Sequence, residues 1–133
     1  MRLYIGGSFQ GKTEYVCSAW AQEHPGKIAL VSDGDSYPSD QPEQADILDH
    51  FHLLVRRFLE DGQEESAIQN FVRKIFAQNP DIWIVCDEVG MGIVPIDVFE
   101  RQYREAVGRC LCELAREADQ VIRIICGIGV NIK

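Results

Sequence analysis

Residues Gly6-Gly7-Ser8-Phe9-Gln10-Gly11-Lys12-Thr13 spell G-x-x-x-x-G-K-[ST], a spacing that lets a backbone wrap an anion. Glycines at both ends permit positive φ and a close approach, so successive N–H groups turn inward while the following helix offers its positive end. Lys12 then reaches the β- and γ-phosphates, and Thr13 places a hydroxyl on Mg²⁺, the hard cation that accompanies phosphates. The loop lies between a β-prone run, Leu3-Tyr4-Ile5, and positions Tyr15, Val16, Ala19 and Trp20 at helical spacing. A plain glycine-rich turn is the bland alternative. The context favours a nucleoside triphosphate site.

A phosphate-bound metal needs an acidic partner, and in open α/β sheets ligands gather at the carboxyl ends of strands. Asp87 and Glu88 follow the apolar run Ile82-Trp83-Ile84-Val85-Cys86 and occupy that position, either as metal ligand or as general base. The competing reading is a solvated pair of charges. Asp33 and Asp35 follow a second apolar run and form a possible substrate loop, accepting the proton of an alcohol or simply building an Asx turn. His50 and His52, two apart on an expected helix, cannot share a metal; each is a nucleophile or base, or a plain helix-surface histidine. Arg104 and Arg109 either reach phosphates from a long helix or are solvated.

These residues need a frame, and the apolar pattern supplies one. A helix is expected over about residues 12 to 23, stopped by His24-Pro25-Gly26, then a short buried strand from Lys27 to Val31. Residues 32 to 46 are polar and breaker-rich, a candidate substrate lid. From Ile47, the positions Leu48, Phe51, Leu54, Val55, Phe58 and Leu59 recur at helical spacing up to Asp61-Gly62. A second helix runs through Ala67, Phe71 and Phe76, and a long one carries Phe99, Tyr103, Val107, Cys110 and Leu114. A strand from Gln120 to Cys126 and a Gly127-Ile128-Gly129 turn close the chain. Such alternation predicts an α/β fold with helices on both faces of a mostly parallel sheet, in one domain over residues 1–133.

Composition limits the partners. A net charge of −8 and the absence of clustered Lys and Arg argue against nucleic acid, so an anion must be bound locally. The 5 cysteines are scattered and mostly embedded in apolar runs, which reads as small buried hydrophobes in a reducing compartment without zinc. No leader and no membrane span is visible, and a cytoplasmic setting is expected.

Three blocks carry a more particular signal: Gly6 to Thr13, then Glu88-Val89-Gly90-Met91-Gly92-Ile93-Val94-Pro95, and the end from Tyr103-Arg104-Glu105 to Gly127-Ile128-Gly129-Val130-Asn131-Ile132-Lys133. Together they resemble the adenosylcobinamide kinase/adenosylcobinamide-phosphate guanylyltransferase family. The resemblance implies a three-layer P-loop NTPase-like fold and phosphorylation of a corrinoid's aminopropanol hydroxyl by ATP or GTP with Mg²⁺. It further implies attachment of GMP through a guanylylated histidine, and a homo-oligomer. After its second strand the family has a histidine-and-arginine segment, where this chain has Ser32 to Asp46. It also has a further strand ending in an acid before a Leu/Trp-rich helix, for which no counterpart is evident ahead of Ile82. Two readings follow: a kinase-like phosphotransferase acting on a corrinoid or another small alcohol, or a nucleotide-binding relative that regulates or assembles and transfers nothing.

Overall fold

The computed structural model describes residues 1–38 and 45–133. Its elements run β1 (Arg2–Gly6), α1 (Lys12–Glu23), β2 (Val31–Asp33), β3 (Ile47–Asp49), α2 (Phe51–Glu60), α3 (Glu65–Gln78), β4 (Trp83–Asp87), α4 (Val98–Glu117), β5 (Gln120–Ile125) and β6 (Ile128–Asn131). The sheet has the order β2-β3-β4-β1-β5-β6, parallel except where β6 turns back on β5. Helices cover both faces, which gives the expected α/β sandwich of three layers.

Period-two alternation decides which face each strand residue joins. Tyr4, Trp83, Val85 and Ile124 pack with Val16 and Trp20 of α1, whereas Leu3, Ile84, Cys86 and Val121 pack with α2, α3 and α4. β4 is therefore buried on both sides, as its unbroken apolar run demands.

Two elements differ from expectation. Residues 27–30 form no strand; β2 begins at Val31, and Ile28 and Leu30 are exposed. With a neighbour on one side only, this edge segment pairs just where β3 runs alongside it. The larger correction concerns Ile47-Leu48-Asp49, which is a strand between β2 and β4 and not the first turn of a helix. A helix would set Ile47 and Leu48 about 100° apart, at the two edges of one apolar stripe; the strand sends Ile47 to the α1 face and Leu48 to the opposite face, both fully buried. Each such burial contributes roughly 1.5–3 kcal/mol, more than helical propensity over two positions can offset. The chain then breaks at His50, held in the left-handed region at φ 49°, and α2 starts at Phe51. This strand with an acidic end supplies the element that had no evident counterpart ahead of Ile82.

Of the suspected lid, residues 39–44 lie outside the described residues. Its first part is anchored: Tyr37 is buried in the core, and Arg57 Nη1 donates to the carbonyls of Gly34 at 3.0 Å and Tyr37 at 3.2 Å. Of the cysteines, Cys86 and Cys110 are buried and Cys17 is half-buried, but Cys112 and Cys126 are exposed, against the expectation of burial. Cys112 lies on the outer side of α4, and Cys126 is in the β5–β6 turn, where nothing packs over it.

Candidate functional site

Parallel strands that end together deliver their last residues to one rim, and here those residues are Gly6, Asp33, Asp49 and Asp87. The register pairs Gly6 with Asp87 and Asp33 with Asp49, which sets Asp87 beside the root of the glycine loop. Between β1 and α1 the loop makes its turn with Phe9 at φ 57° and Gly11 at φ 76°. Gly6 must lack a side chain, because a Cβ there would stand 2.4 Å from the Ile124 carbonyl oxygen. The outer arm is pinned from β5–β6: Gly127 N donates to the Gln10 carbonyl at 2.9 Å, and Cys126 N to Gln10 Oε1 at 2.7 Å.

Lys12 is buried, 7% exposed, and its ammonium donates to the Gly7 carbonyl at 2.8 Å while pairing with Asp87 Oδ1 at 2.6 Å. Ser8 Oγ donates to the other oxygen of Asp87 at 2.6 Å. Burial alone would raise the proton affinity of Asp87; the Lys12 and Ser8 hydrogen bonds outweigh it, and the carboxyl is held below the usual range. Thr13 Oγ1 donates to Asp49 Oδ2 at 2.7 Å, and His50 N caps Asp49 Oδ1 at 2.7 Å. Asp49 is 4% exposed, so its charge is directed wholly at these donors and at whatever Thr13 binds.

The two histidines stand on the same rim with pKa values moved in opposite directions. His52 is buried at the start of α2 and accepts the Asp87 amide on Nδ1 at 3.3 Å, so its neutral form carries the proton on Nε2. Desolvation pushes its pKa down despite the Asp87 charge. His50 is half-exposed; desolvation would lower it, but the 2.8 Å hydrogen bond from Nδ1 to Asp33 Oδ2 and the fields of Asp49 and Asp33 raise it. Neither is the plain helix-surface histidine of the bland reading.

A histidine raised in the fold stabilises it below the unfolded value of 6.5, and that contribution fades as pH climbs through the folded value. His52 acts in reverse, withdrawing stability as pH falls below 6.5 toward its depressed folded value. Ring-nitrogen NMR should therefore find His50 titrating above 6.5 and His52 below it; the opposite order would refute this account of the rim.

Other sequence candidates go elsewhere. Glu88 accepts from Arg123 Nη2 at 2.9 Å, and of the adjacent acids it is Asp87 that faces the loop. Asp33 takes the Asp35 amide on Oδ1 at 2.9 Å, the Asx turn among the two readings, and reaches the cleft only through His50. Arg104 donates to the carbonyls of Gly90, Gly92 and Ile93, tying down the loop after β4. Arg109 pairs with Glu65 and Glu105 on the helical face and does not line the cleft at the glycine loop. Sequence reading missed Asp49 and the burial of His52. The available signal was an apolar pair followed by an acid, Ile47-Leu48-Asp49, the same grammar as Cys86-Asp87.

What remains open is a cleft of about 490 Å³ lined by Ser8 to Glu14, His50, His52, Leu53 and Asp87. Among the described residues no three His, Cys, Asp or Glu side chains form a ready-made metal cluster. The oxygen donors of Thr13, Asp49 and Asp87 suit a hard cation that brings phosphate oxygens as its remaining ligands.

A glycine loop joining a central parallel strand to a helix N-terminus, with carboxylates on neighbouring strand ends, defines the phosphate-loop class of α/β proteins. Comparison with known proteins is narrower. The family described as cobinamide kinase / cobinamide phosphate guanyltransferase, CobU, matches residues 23–132, and the chain belongs to that family. The matched span begins beyond the glycine loop. The bifunctional adenosylcobalamin biosynthesis protein CobU of Salmonella typhimurium LT2 is 48% identical over 50 residues, 38% of this chain and 28% of that protein. Its namesake in Escherichia coli K12 is 46% identical over 68 residues, 51% of this chain and 38% of that protein. The similarity thus spans well under half of the length of either relative, 28% of the first and 38% of the second.

Proposed function

We propose that the chain is a Mg²⁺-dependent phosphotransferase that moves the γ-phosphoryl group of ATP or GTP to the hydroxyl of a corrinoid or related small alcohol. The observation that carries this reading is the double pairing at the loop, Lys12 with Asp87 and Thr13 with Asp49, at 2.6 and 2.7 Å. Each side chain expected to handle phosphate or metal is aligned by its own strand-end carboxylate.

In this mechanism the loop amides and Lys12 hold the β- and γ-phosphates, and Thr13, Asp49 and Asp87 would hold the cation. Mg²⁺, when bound, neutralises charge that accumulates between the β- and γ-phosphates. Asp87, ionised and beside Lys12, orients the acceptor alcohol at the rim. The alcohol oxygen bonds to the γ-phosphorus as its proton passes by way of the Asp87 carboxylate to water, the bond to the β–γ bridging oxygen breaks, and the nucleoside diphosphate leaves. Its charge is met by Lys12 and the loop. Catalysis of this kind is positioning and charge compensation.

Guanylyl transfer is not part of the proposal. Only residues 34 to 46 join β2 to β3, where the family resemblance calls for a histidine-and-arginine segment. The alternative of a non-catalytic regulatory or assembly relative was motivated by the missing acid-tipped strand, and β3 with Asp49 removes that motive. The exposed apolar side chains Met91, Ile93, Val94 and Ile96 in one loop support assembly of copies into a homo-oligomer, and a light-scattering mass of a single chain would refute that part. No helix among the described residues is long and apolar enough to cross a membrane, and we place the protein in the cytoplasm with its substrates.

Incubation with adenosylcobinamide and triphosphate labelled at either the γ- or the α-phosphorus tests the reading. Label from the γ position should enter the corrinoid and label from the α position should enter neither corrinoid nor protein. Nucleotide binding with no γ-label transferred would return the protein to the non-catalytic class.

A further inference from the structure

Alternate residues of a strand aim their amides at the same neighbour, so the N–H groups of Trp83, Val85 and Asp87 all face the β3 side of β4. Trp83 N donates to the Asp46 carbonyl at 2.9 Å. Asp87 stands beyond the end of β3 at Asp49, where no strand runs alongside to take its amide. His52, in the first turn of α2, fills the place of that strand by accepting the amide on Nδ1 at 3.3 Å.

This arrangement commits the other ring nitrogen. A nitrogen that accepts an N–H carries no proton, so the imidazole is an acceptor at Nδ1 and a donor at Nε2. His52 is 9% exposed and lines the cleft at the glycine loop. Among the described residues its Nε2–H has no hydrogen-bond acceptor: Asp87 Oδ2 is 4.0 Å away, out of reach, and already takes the Ser8 hydroxyl. Arg123 Nε is the unpartnered side-chain polar atom that the described residues seal off, so Nε2 of His52 is not sealed and is reached from the cleft.

We infer that His52 is a further catalytic residue, which donates its Nε2–H to an oxygen of the γ-phosphoryl group during transfer. The inference rests on the reading of this cleft as the site of phosphoryl transfer. The donor tautomer leaves no lone pair on Nε2 for a metal or for attack on phosphorus. Donation to the acceptor alcohol would engage the oxygen that must bond phosphorus. The phosphoryl oxygens have lone pairs to spare and share the charge of the transition state. An uncharged donor also forms no ion pair with Asp87 and stays free for them, whereas Lys12 is held by Asp87 at 2.6 Å. The proton remains on Nε2 throughout, and the group acts as a fixed dipole that needs no reorganisation as the reaction proceeds.

His52 has a competing role, holding the Asp87 amide in place, and two substitutions separate the roles. His52→Asn can keep an acceptor near the position of Nδ1 and has nothing at Nε2; His52→Gln extends an NH₂ to the position of Nε2 and gives up the acceptor. Transfer to adenosylcobinamide should fall on the order of 10²-fold in kcat for His52→Asn, with KM for the triphosphate nearly unchanged, and His52→Gln should recover part of the rate. An Asn variant as active as the natural protein, or no slower than the Gln variant, would overturn the assignment. Binding supplies the second readout: protein labelled with ¹⁵N in its histidines is titrated with inorganic tripolyphosphate and Mg²⁺, and the heat of binding is measured in parallel. The Nε2–H proton of His52 should move downfield and exchange more slowly with water, while the Nδ1 resonance stays in place. Tripolyphosphate that binds and leaves Nε2–H unmoved would overturn the role of His52 with the phosphate site intact. Absence of binding would overturn both.

Discussion

Asp49→Asn should lower phosphoryl transfer on the order of 10²-fold, the loss usual when one preorganised electrostatic contact to a reacting phosphoryl group is removed. Asparagine keeps the shape: its single oxygen can still accept from the His50 amide, and its NH₂ can donate to the rotatable Thr13 hydroxyl, so the fold around β3 should survive. What it loses is the negative charge that the metal proposed beside Thr13 would require. The expected signature is a large fall in kcat, a rise in the Mg²⁺ concentration needed for half-maximal rate, and an almost unchanged thermal midpoint. Undiminished turnover at low Mg²⁺ would show that Asp49 only anchors the helix, and the metal would then have to be assigned to Asp87. Thr13→Ala is the companion variant, since it removes the partner that aligns Asp49 at 2.7 Å and should shift the Mg²⁺ dependence in the same direction.

Lys12→Ala should be the more damaging change for binding. The ammonium is 7% exposed and already poised by Asp87 and Gly7, so little side-chain freedom is lost when phosphate arrives. Removing it takes away the charge proposed to face the γ-phosphate and leaves Asp87 half-buried and unneutralised beside the glycine loop. Both effects oppose binding, and nucleotide affinity should fall by about 100-fold or more. The double variant Lys12→Ala with Asp87→Ala separates them: it relieves the repulsion and should recover part of the affinity but none of the turnover. Unchanged nucleotide affinity in Lys12→Ala would contradict the placement of phosphate in this cleft.

The glycine loop was legible as a turn between strand and helix, because glycine spacing records backbone shape directly. β4 and α4 were legible for a related reason, since a run buried on both faces and a long helical stripe each leave an unbroken pattern. Asp49 was hidden by a coincidence of periods: Ile47 and Leu48 fall in phase with Phe51, Leu54 and Val55, and only the pairing of β3 between β2 and β4 shows that they point apart. That pairing is long-range and leaves no local trace. His52 was misplaced with it, because shifting the helix start to Phe51 turns the histidine from solvent toward Asp87. Glu88 and Asp87 could not be ranked from sequence either; the choice depends on Arg123, on a strand two positions away across the sheet. Residue types thus nominated the candidates, while topology decided which acids face the glycine loop.

Backbone amide NMR of the natural protein, titrated with a non-hydrolysable triphosphate in the presence of Mg²⁺, tests the anion cradle most directly. The largest shifts should fall on the amides from Gly7 to Thr13, with smaller ones at Asp49, His50 and Asp87. A titration that leaves the loop amides in place, or moves a different surface, would contradict the account.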